Sequence, residues 1–297
     1  MLASLAVVLQ PLEPIQSIPE GIGYAVRGWF YEVLGQTAPE VAQKLHQTQA
    51  VKPFTLSPLL GPGRRRKGML HLKPRPYTLR ITALTGEVYR AIFKALFEQM
   101  AKEEIVRVGT ARFQMVQLKF GGTGERYATQ SDYADLWQQP RRREYAFRFV
   151  TPTSFRTGQF YQPLPIPRNV YESLWQKWNA FAPTELVISE EFLVTIASHL
   201  FLAMHRIRTC TIHGPRYKAL GFVGNCRFEV LGKVPEEHLR ALTALSEFAF
   251  YAGVGSQTTE GMGQTLVENG RRGTNKMNPF PDRSHPLTSE TPKKRGG

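Results

Sequence analysis

The chain has 297 residues, 42% of them hydrophobic, which suits two ordinary domains with proper cores and excludes disorder throughout. The formal net charge is +14, and residues 268–297 hold seven Lys/Arg against three Asp/Glu, so +10 remains on residues 1–267. A folded body this basic faces a polyanion, nucleic acid being the commonest, unless the charge serves solubility alone.

Cys210 and Cys226 are too few and too far apart for a disulfide framework or a zinc ribbon, and read as core thiols of a reducing compartment. The apolar opening Met1–Leu9 has no Lys or Arg before it and fits a first buried strand better than a signal peptide. No other stretch reaches the roughly 18 apolar residues that a spanning helix needs. The expected location is the cytoplasm, with no membrane contact.

After that strand, Val26, Trp29, Phe30, Val33 and Leu34 repeat at helical spacing and predict a helix over 22–35. A second short helix runs from Pro39 to about His46, with Thr37 as a nearby cap. Strand-like runs at 53–60, 69–73 and 77–84 are interrupted by a loop, Gly61 to Gly68, that carries Arg64, Arg65, Arg66 and Lys67. A helix over 86–101 precedes a strand over 112–120. The polar stretch 121–143, with Gly121, Gly122, Gly124 and Arg141-Arg142-Arg143, reads as a linker.

The second half repeats this grammar. A strand at 144–151 leads to a Pro-rich excursion at 152–167, helices at 168–181 and 184–206, and strands at 207–213 and 219–231. A helix at 235–252 and a strand at 263–268 close it. The expected fold is α+β, with two tandem ferredoxin-like (RRM-like, βαββαβ) domains at 1–135 and 140–268. Residues 269–297 are expected to be a basic, disordered tail.

The most informative segment is Gly253-Val254-Gly255-Ser256-Gln257-Thr258-Thr259-Glu260-Gly261-Met262-Gly263, a G-x-G-x5-G-x-G spacing between a predicted helix and the last strand. Glycines admit positive φ and close approach, so successive amides can converge on phosphate oxygens, with Ser256, Gln257 and Thr258 adding neutral donors. It is no NTPase P-loop, because no G-K-[ST] follows. It is no dinucleotide fingerprint either, because Thr258 stands where that motif needs glycine.

With this loop the chain resembles the CRISPR-associated repeat-processing endoribonucleases of the RAMP superfamily. Phe149-Val150-Thr151-Pro152-Thr153-Ser154-Phe155 and Lys52-Pro53-Phe54-Thr55-Leu56-Ser57 also look like segments of that family, and the likeness covers roughly 1–267. The resemblance implies RNA held across the cleft between two ferredoxin-like domains and cut within a CRISPR repeat. Metal-free cutting needs a 2′-OH deprotonated, in-line attack on the neighbouring phosphate and a protonated leaving oxygen, ending in a 2′,3′-cyclic phosphate and a 5′-hydroxyl. Histidine suits the proton transfers.

Of His46, His71, His199, His205, His213, His238 and His285, the resemblance favours His46, at the end of a helix just before a basic strand. On position alone it could equally complement a helix C-terminus. Tyr31, off the buried stripe on a flank shared with Tyr24 and Arg27, could orient the histidine or hold the leaving oxygen. Lys52 could pair with the scissile phosphate.

Glu103-Glu104, Glu190-Glu191 and Glu236-Glu237 read as solvated faces, no H-x-x-x-H or C-x-x-C occurs, and neither metal nor cofactor is expected. Arg64, Arg65, Arg66, Arg141 and Arg142 are electrostatic candidates for RNA contact, beside Gly253, Gly255, Gly261 and Gly263 of the loop. Tyr145, Phe147 and Phe149 alternate as stacking aromatics would, or face the core. The expected partner is CRISPR repeat RNA. A non-catalytic RAMP subunit of a multi-subunit effector complex, and a general RNA-binding or RNA-modifying protein, stay open as alternatives. The oligomeric state, a homodimer included, is open as well.

Overall fold

A computed structural model describes residues 1–13, 17–48, 51–66, 68–121, 127–213 and 218–268. Lys67, Gly122, Gly124, His285 and the predicted tail 269–297 lie outside the described residues.

In chain order the first half holds β1 (Leu2–Pro11), β2 (Ser17–Pro19), α1 (Gly23–Thr37), α2 (Pro39–Gln47), β3 (Phe54–Leu56), β4 (Gly63–Arg66), β5 (Met69–Leu72) and β6 (Tyr77–Ala83). It continues with α3 (Gly86–Ala101), β7 (Val106–Val108), β8 (Ala111–Phe120), β9 (Thr129–Ser131) and α4 (Tyr133–Trp137). The second half holds β10 (Glu144–Thr153), β11 (Phe155–Thr157), β12 (Phe160–Gln162), α5 (Pro167–Phe181), α6 (Glu191–His199), β13 (Leu200–His213), β14 (Lys218–Val230), α7 (Glu236–Ala252) and β15 (Thr265–Glu268).

The first sheet runs β3-β6-β1-β8-β7 and the second β13-β14-β10-β15, both antiparallel throughout. In each, the first strand of the unit sits centrally between the third and the last, the order expected of a ferredoxin-like βαββαβ unit. Each half packs its own core. Val26, Trp29, Phe30, Val33 and Leu34 of α1 pack with Leu5, Val7 and Leu9 of β1, as the helical stripe predicted. Phe147, Tyr171, Trp178, Phe228 and Phe248 centre the second core. No helix among the described residues is long and apolar enough to cross a membrane.

Several expectations change. The linker at 121–143 holds structure: β9 pairs with β1, and α4 buries Tyr133 and Leu136 in the second core. These elements are too short to show a period, and they are fixed by contacts such as the Tyr133 hydroxyl donating to the Leu84 carbonyl at 3.0 Å. The helix expected over 184–206 is instead a 3₁₀ turn at Thr184–Leu186 followed by α6, which stops at His199. From Leu200↔Val230 to His213↔Lys218 the chain pairs with β14, so sheet hydrogen bonding overrides the local apolar spacing.

The basic loop 61–68 carries β4, which pairs with β5 in a small sheet of order β2-β5-β4. The run at 53–60 shortens to β3. Thr37 does not cap α2; its hydroxyl donates back to Val33 O at 3.5 Å, and Pro39 starts the helix behind Ala38.

The two halves are joined by buried polar groups. Arg80 of β6 is 1% exposed. It donates to Ser4 Oγ (2.9 Å), to Gln264 Oε1 (2.8 Å) and to Phe250 O at the end of α7, and lies over the Phe250 ring at 4.0 Å. Burial draws its guanidinium down to about 10. Thr82 Oγ1 donates to Tyr251 O at 2.7 Å beside it.

Candidate functional site

The glycine-rich loop leaves α7 at Gly253 and returns at Gly263. Gly253, Gly255, Gly261 and Gly263 all have positive φ, the left-handed region that favours glycine. A Cβ at Gly255 would run into the Ser154 carbonyl, and one at Gly263 into the Val254 carbonyl. Thr258 sits against the ring so formed, its methyl 3.1 Å from where a Cβ of Gly253 would stand and 2.9 Å from that of Gly263. Thr258 therefore packs the loop from within.

Most loop amides are spent inside the fold. Val254 N donates to Gly263 O (2.9 Å), Gly263 N to Pro152 O (2.9 Å), Ser256 N to Ser154 O (2.9 Å) and Gly255 N to Ser173 Oγ (2.8 Å). Glu260 N and Met262 N both donate to Gln257 O. Among the described residues, the amides of Gln257, Thr258 and Thr259, at the apex, take no part in these bonds, while Gly261 follows the 3₁₀ turn Thr258–Glu260. The phosphate cradle expected along the whole loop narrows to that apex. Gln257 Oε1 and Ser154 Oγ are buried there without a hydrogen-bond partner among the described residues.

A residue not singled out from the sequence supports the loop from below. Lys177 of α5 is 8% exposed and donates to the carbonyls of Ala252 (3.1 Å), Gly253 (3.0 Å) and Gly255 (3.2 Å). Burial pulls its ammonium down to about 7, against which three carbonyls hold the proton. The available signal was position: Lys177 lies three residues after Leu174 on the buried stripe Val170, Leu174, Trp178, where an amine needs acceptors.

On its other side the loop meets α1. A Cβ at Gly23 would strike the Glu260 carbonyl, and Glu260 pairs with Arg27 one turn further along the helix. One more turn brings Tyr31, whose ring meets the exposed His46 edge-to-face at 5.5 Å and whose hydroxyl donates to Leu45 O at 3.3 Å. Burial raises the Tyr31 phenol and nearby Arg27 lowers it in part; burial and then Arg27 lower the Lys52 ammonium. The face of α1 at positions 23, 27 and 31 thus runs from the glycine loop to the end of α2.

Lys52 lies at that end too, but its ammonium turns onto the helix carbonyls of Leu45, His46 (3.3 Å) and Thr48. It closes the C-terminus of α2, complements the negative end of the helix and shares the Leu45 carbonyl with the Tyr31 hydroxyl, while Arg27 acts on the Tyr31 phenol from along α1. Arg27 appeared in the sequence only as a neighbour of Tyr31 on one flank.

The two arginine runs part company. β2 ends at Pro19, ahead of Gly23, and β4 begins at Gly63, after Pro58, whose ring lies against Gly261, so the chain leads from beside the loop into the strand of Arg64, Arg65 and Arg66. The Arg64 and Arg66 side chains are exposed. Arg141 instead pairs with Glu236 at 2.6 Å, and Arg142 pairs with Glu247 and receives its place from Thr243, whose hydroxyl accepts its amide at 3.2 Å. Glu236 starts α7 and the loop follows its end, a separation of about 24 Å at 1.5 Å per residue. Tyr145, Phe147 and Phe149 are buried and face the core. Among the described residues no group of three His, Cys, Asp or Glu side chains could hold a metal ion.

Comparison with known proteins bears on the family and the fold. Residues 147–265 match the family model of the CRISPR-associated endoribonuclease Cas6. A Cas6 from Streptococcus thermophilus is 28% identical over 125 residues, covering 42% of this chain and 50% of that protein. The chain thus spans about half the length of the curated relatives it matches. Among solved structures, the product complex of a Thermus thermophilus Cas6 superposes with a TM-score of 0.76 at 29% identity, over 90% of this chain and 100% of that one. A second Cas6 product complex gives a TM-score of 0.72 at 30% identity, over 90% of this chain and 99% of that one. On fold, loop and full-length likeness to a solved relative, the chain belongs to the Cas6 family of CRISPR-associated endoribonucleases.

Proposed function

We propose that this protein cuts CRISPR repeat transcripts into guide RNAs without a metal ion, by attack of a 2′-oxygen on the neighbouring phosphate. The observation that carries the reading is the single face of α1 that joins the loop apex, through Glu260 and Arg27, to Tyr31 and His46. RNA laid over the apex amides and along Arg64 and Arg66 would pass the end of α2. There the His46 imidazole is exposed and free to move protons between the 2′-oxygen, solvent and the leaving 5′-oxygen.

Arg27 is the cation for charge building on the phosphorane, and the phosphate competes with Glu260 for it. Tyr31 holds the imidazole edge and offers its hydroxyl, which burial keeps protonated, to the leaving side. Lys52 fixes the backbone that carries His46. The products are a 2′,3′-cyclic phosphate and a 5′-hydroxyl, and 1–135 and 140–268 act as the two domains. Cytoplasmic residence is part of the same reading.

The test is incubation of the purified protein with end-labelled repeat RNA in EDTA, with the fragment ends identified. One cut per repeat, ending in a cyclic phosphate, is expected. His46→Ala should slow cutting by about 100- to 10,000-fold, the usual worth of a general acid or base, while still binding RNA. Cutting that stops in EDTA, or survives intact in His46→Ala, rejects the mechanism. RNA bound but never cut favours a coat subunit of an effector complex instead.

A further inference from the structure

β10 buries its own aromatics, but it runs into a segment that exposes one. Past Thr153 the chain makes the two-stranded hairpin β11–β12, paired Phe155↔Gln162, Arg156↔Tyr161 and Thr157↔Phe160. The hairpin starts at the loop, since Ser154 O accepts both the amide (2.9 Å) and the hydroxyl (3.1 Å) of Ser256. Alternation puts Phe155 and Phe160 on one face. Phe155 is 6% exposed and anchors the inner end against Phe222, with ring centroids 6.5 Å apart. Phe160, at the outer end, is 79% exposed, more than any other large hydrophobic side chain among the described residues.

A phenyl ring held in water on an ordered hairpin contributes little to the fold. Its surroundings suit one class of ligand. Arg156 is exposed on the opposite face beside Tyr161, and β12 packs on β14, whose partner β13 exposes Arg206 and Arg208. No acidic side chain occurs from Phe155 to Val170. Three residues of extended strand put Phe160 about 10 Å from Ser154. An exposed aromatic ring on a hairpin without acidic side chains, one short strand from the glycine-rich loop, suits the stacking by which single-stranded nucleic acid is held without reading every base.

We propose that Phe160 is a stacking subsite for one nucleobase of the RNA whose backbone the glycine-rich loop holds. The subsite rests on the RNA-cutting reading above. It adds a base contact to a site otherwise made of phosphate contacts, so it fixes which nucleotide lies over the loop and hence the register of the cut.

The experiment uses full-length protein and a set of repeat RNAs, each with 2-aminopurine at one position, because the fluorescence of that base falls when it stacks. Phe160→Ala, Phe160→Leu and Phe160→Trp are compared with the unaltered protein. One position should be quenched by the unaltered protein and by Phe160→Trp, and stay bright with Phe160→Ala. Binding by Phe160→Ala should weaken roughly 5- to 100-fold, the range of one lost base stack, with melting temperature unchanged. Phe160→Leu should fall clearly below the unaltered protein, because it keeps the apolar surface and loses the ring. Equal binding and quenching by Phe160→Ala or Phe160→Leu overturns the subsite and leaves the cutting reading standing. Failure of the unaltered protein to bind repeat RNA overturns the cutting reading itself.

Discussion

The two halves share a strand order and, on the proposed reading, divide the chemistry. The first offers ionisable side chains, Arg27, Tyr31 and His46, on helices at the rim of its sheet. The second offers shaped backbone, a loop whose four glycines take positive φ and whose amides are mostly tied down around Thr258. Proton transfer calls for groups that titrate and are exposed, whereas holding a sugar-phosphate chain calls for donors that do not move. One topology serves both because the loop after α7 and the end of α2 are brought to the same face of α1.

That division predicts unequal responses. Gly255→Ala should do the most damage, because a Cβ there meets the Ser154 carbonyl and φ is 80°. Strained left-handed backbone alone costs about 1–3 kcal/mol. Thermal melting should fall and RNA binding should fail even with His46 intact; a variant that melts and binds like the parent would show the loop shape to be dispensable.

Lys177 gives a pH test of the same loop. Its folded-state value, near 7, lies below the usual lysine value of 10.5, so between those limits the unfolded chain binds the extra proton. Its contribution therefore makes stability rise with pH across roughly 7 to 10.5. Lys177→Met should flatten that slope in denaturant melts, and an unchanged slope would reject the assignment.

The arginine runs give the smallest effect and the finest distinction. Arg66→Ala should weaken RNA binding modestly and lower the salt slope by about one, as a lost phosphate contact does. Arg141→Ala should leave both nearly unchanged, because its guanidinium serves Glu236. Equal losses from the two would mean that RNA reaches the far end of α7 as well.

In sequence the two runs look alike; in the structure one is a strand with exposed arginines in the small β2-β5-β4 sheet and the other a clamp on α7. Local patterning carried much of the fold. The stripe of α1, the span of α3 and the start of α2 at Pro39 were legible because each is written in the spacing of a few neighbouring residues. The extent of β13 was not, because its pairing with β14 outweighs the helical spacing around residue 200.

The site divides in the same way. The glycine spacing could be marked from sequence by residue type and interval, whereas His46 was singled out by the family resemblance, its position alone leaving a helix-end role equally open. That Lys52 closes the end of α2, that Arg27 reaches Glu260 233 residues away, and that Lys177 lies under the loop were decided by the tertiary structure. The Arg27 and Lys177 contacts join segments far apart in the chain, and for Lys177 burial, which leaves an amine in need of acceptors, determines the partners.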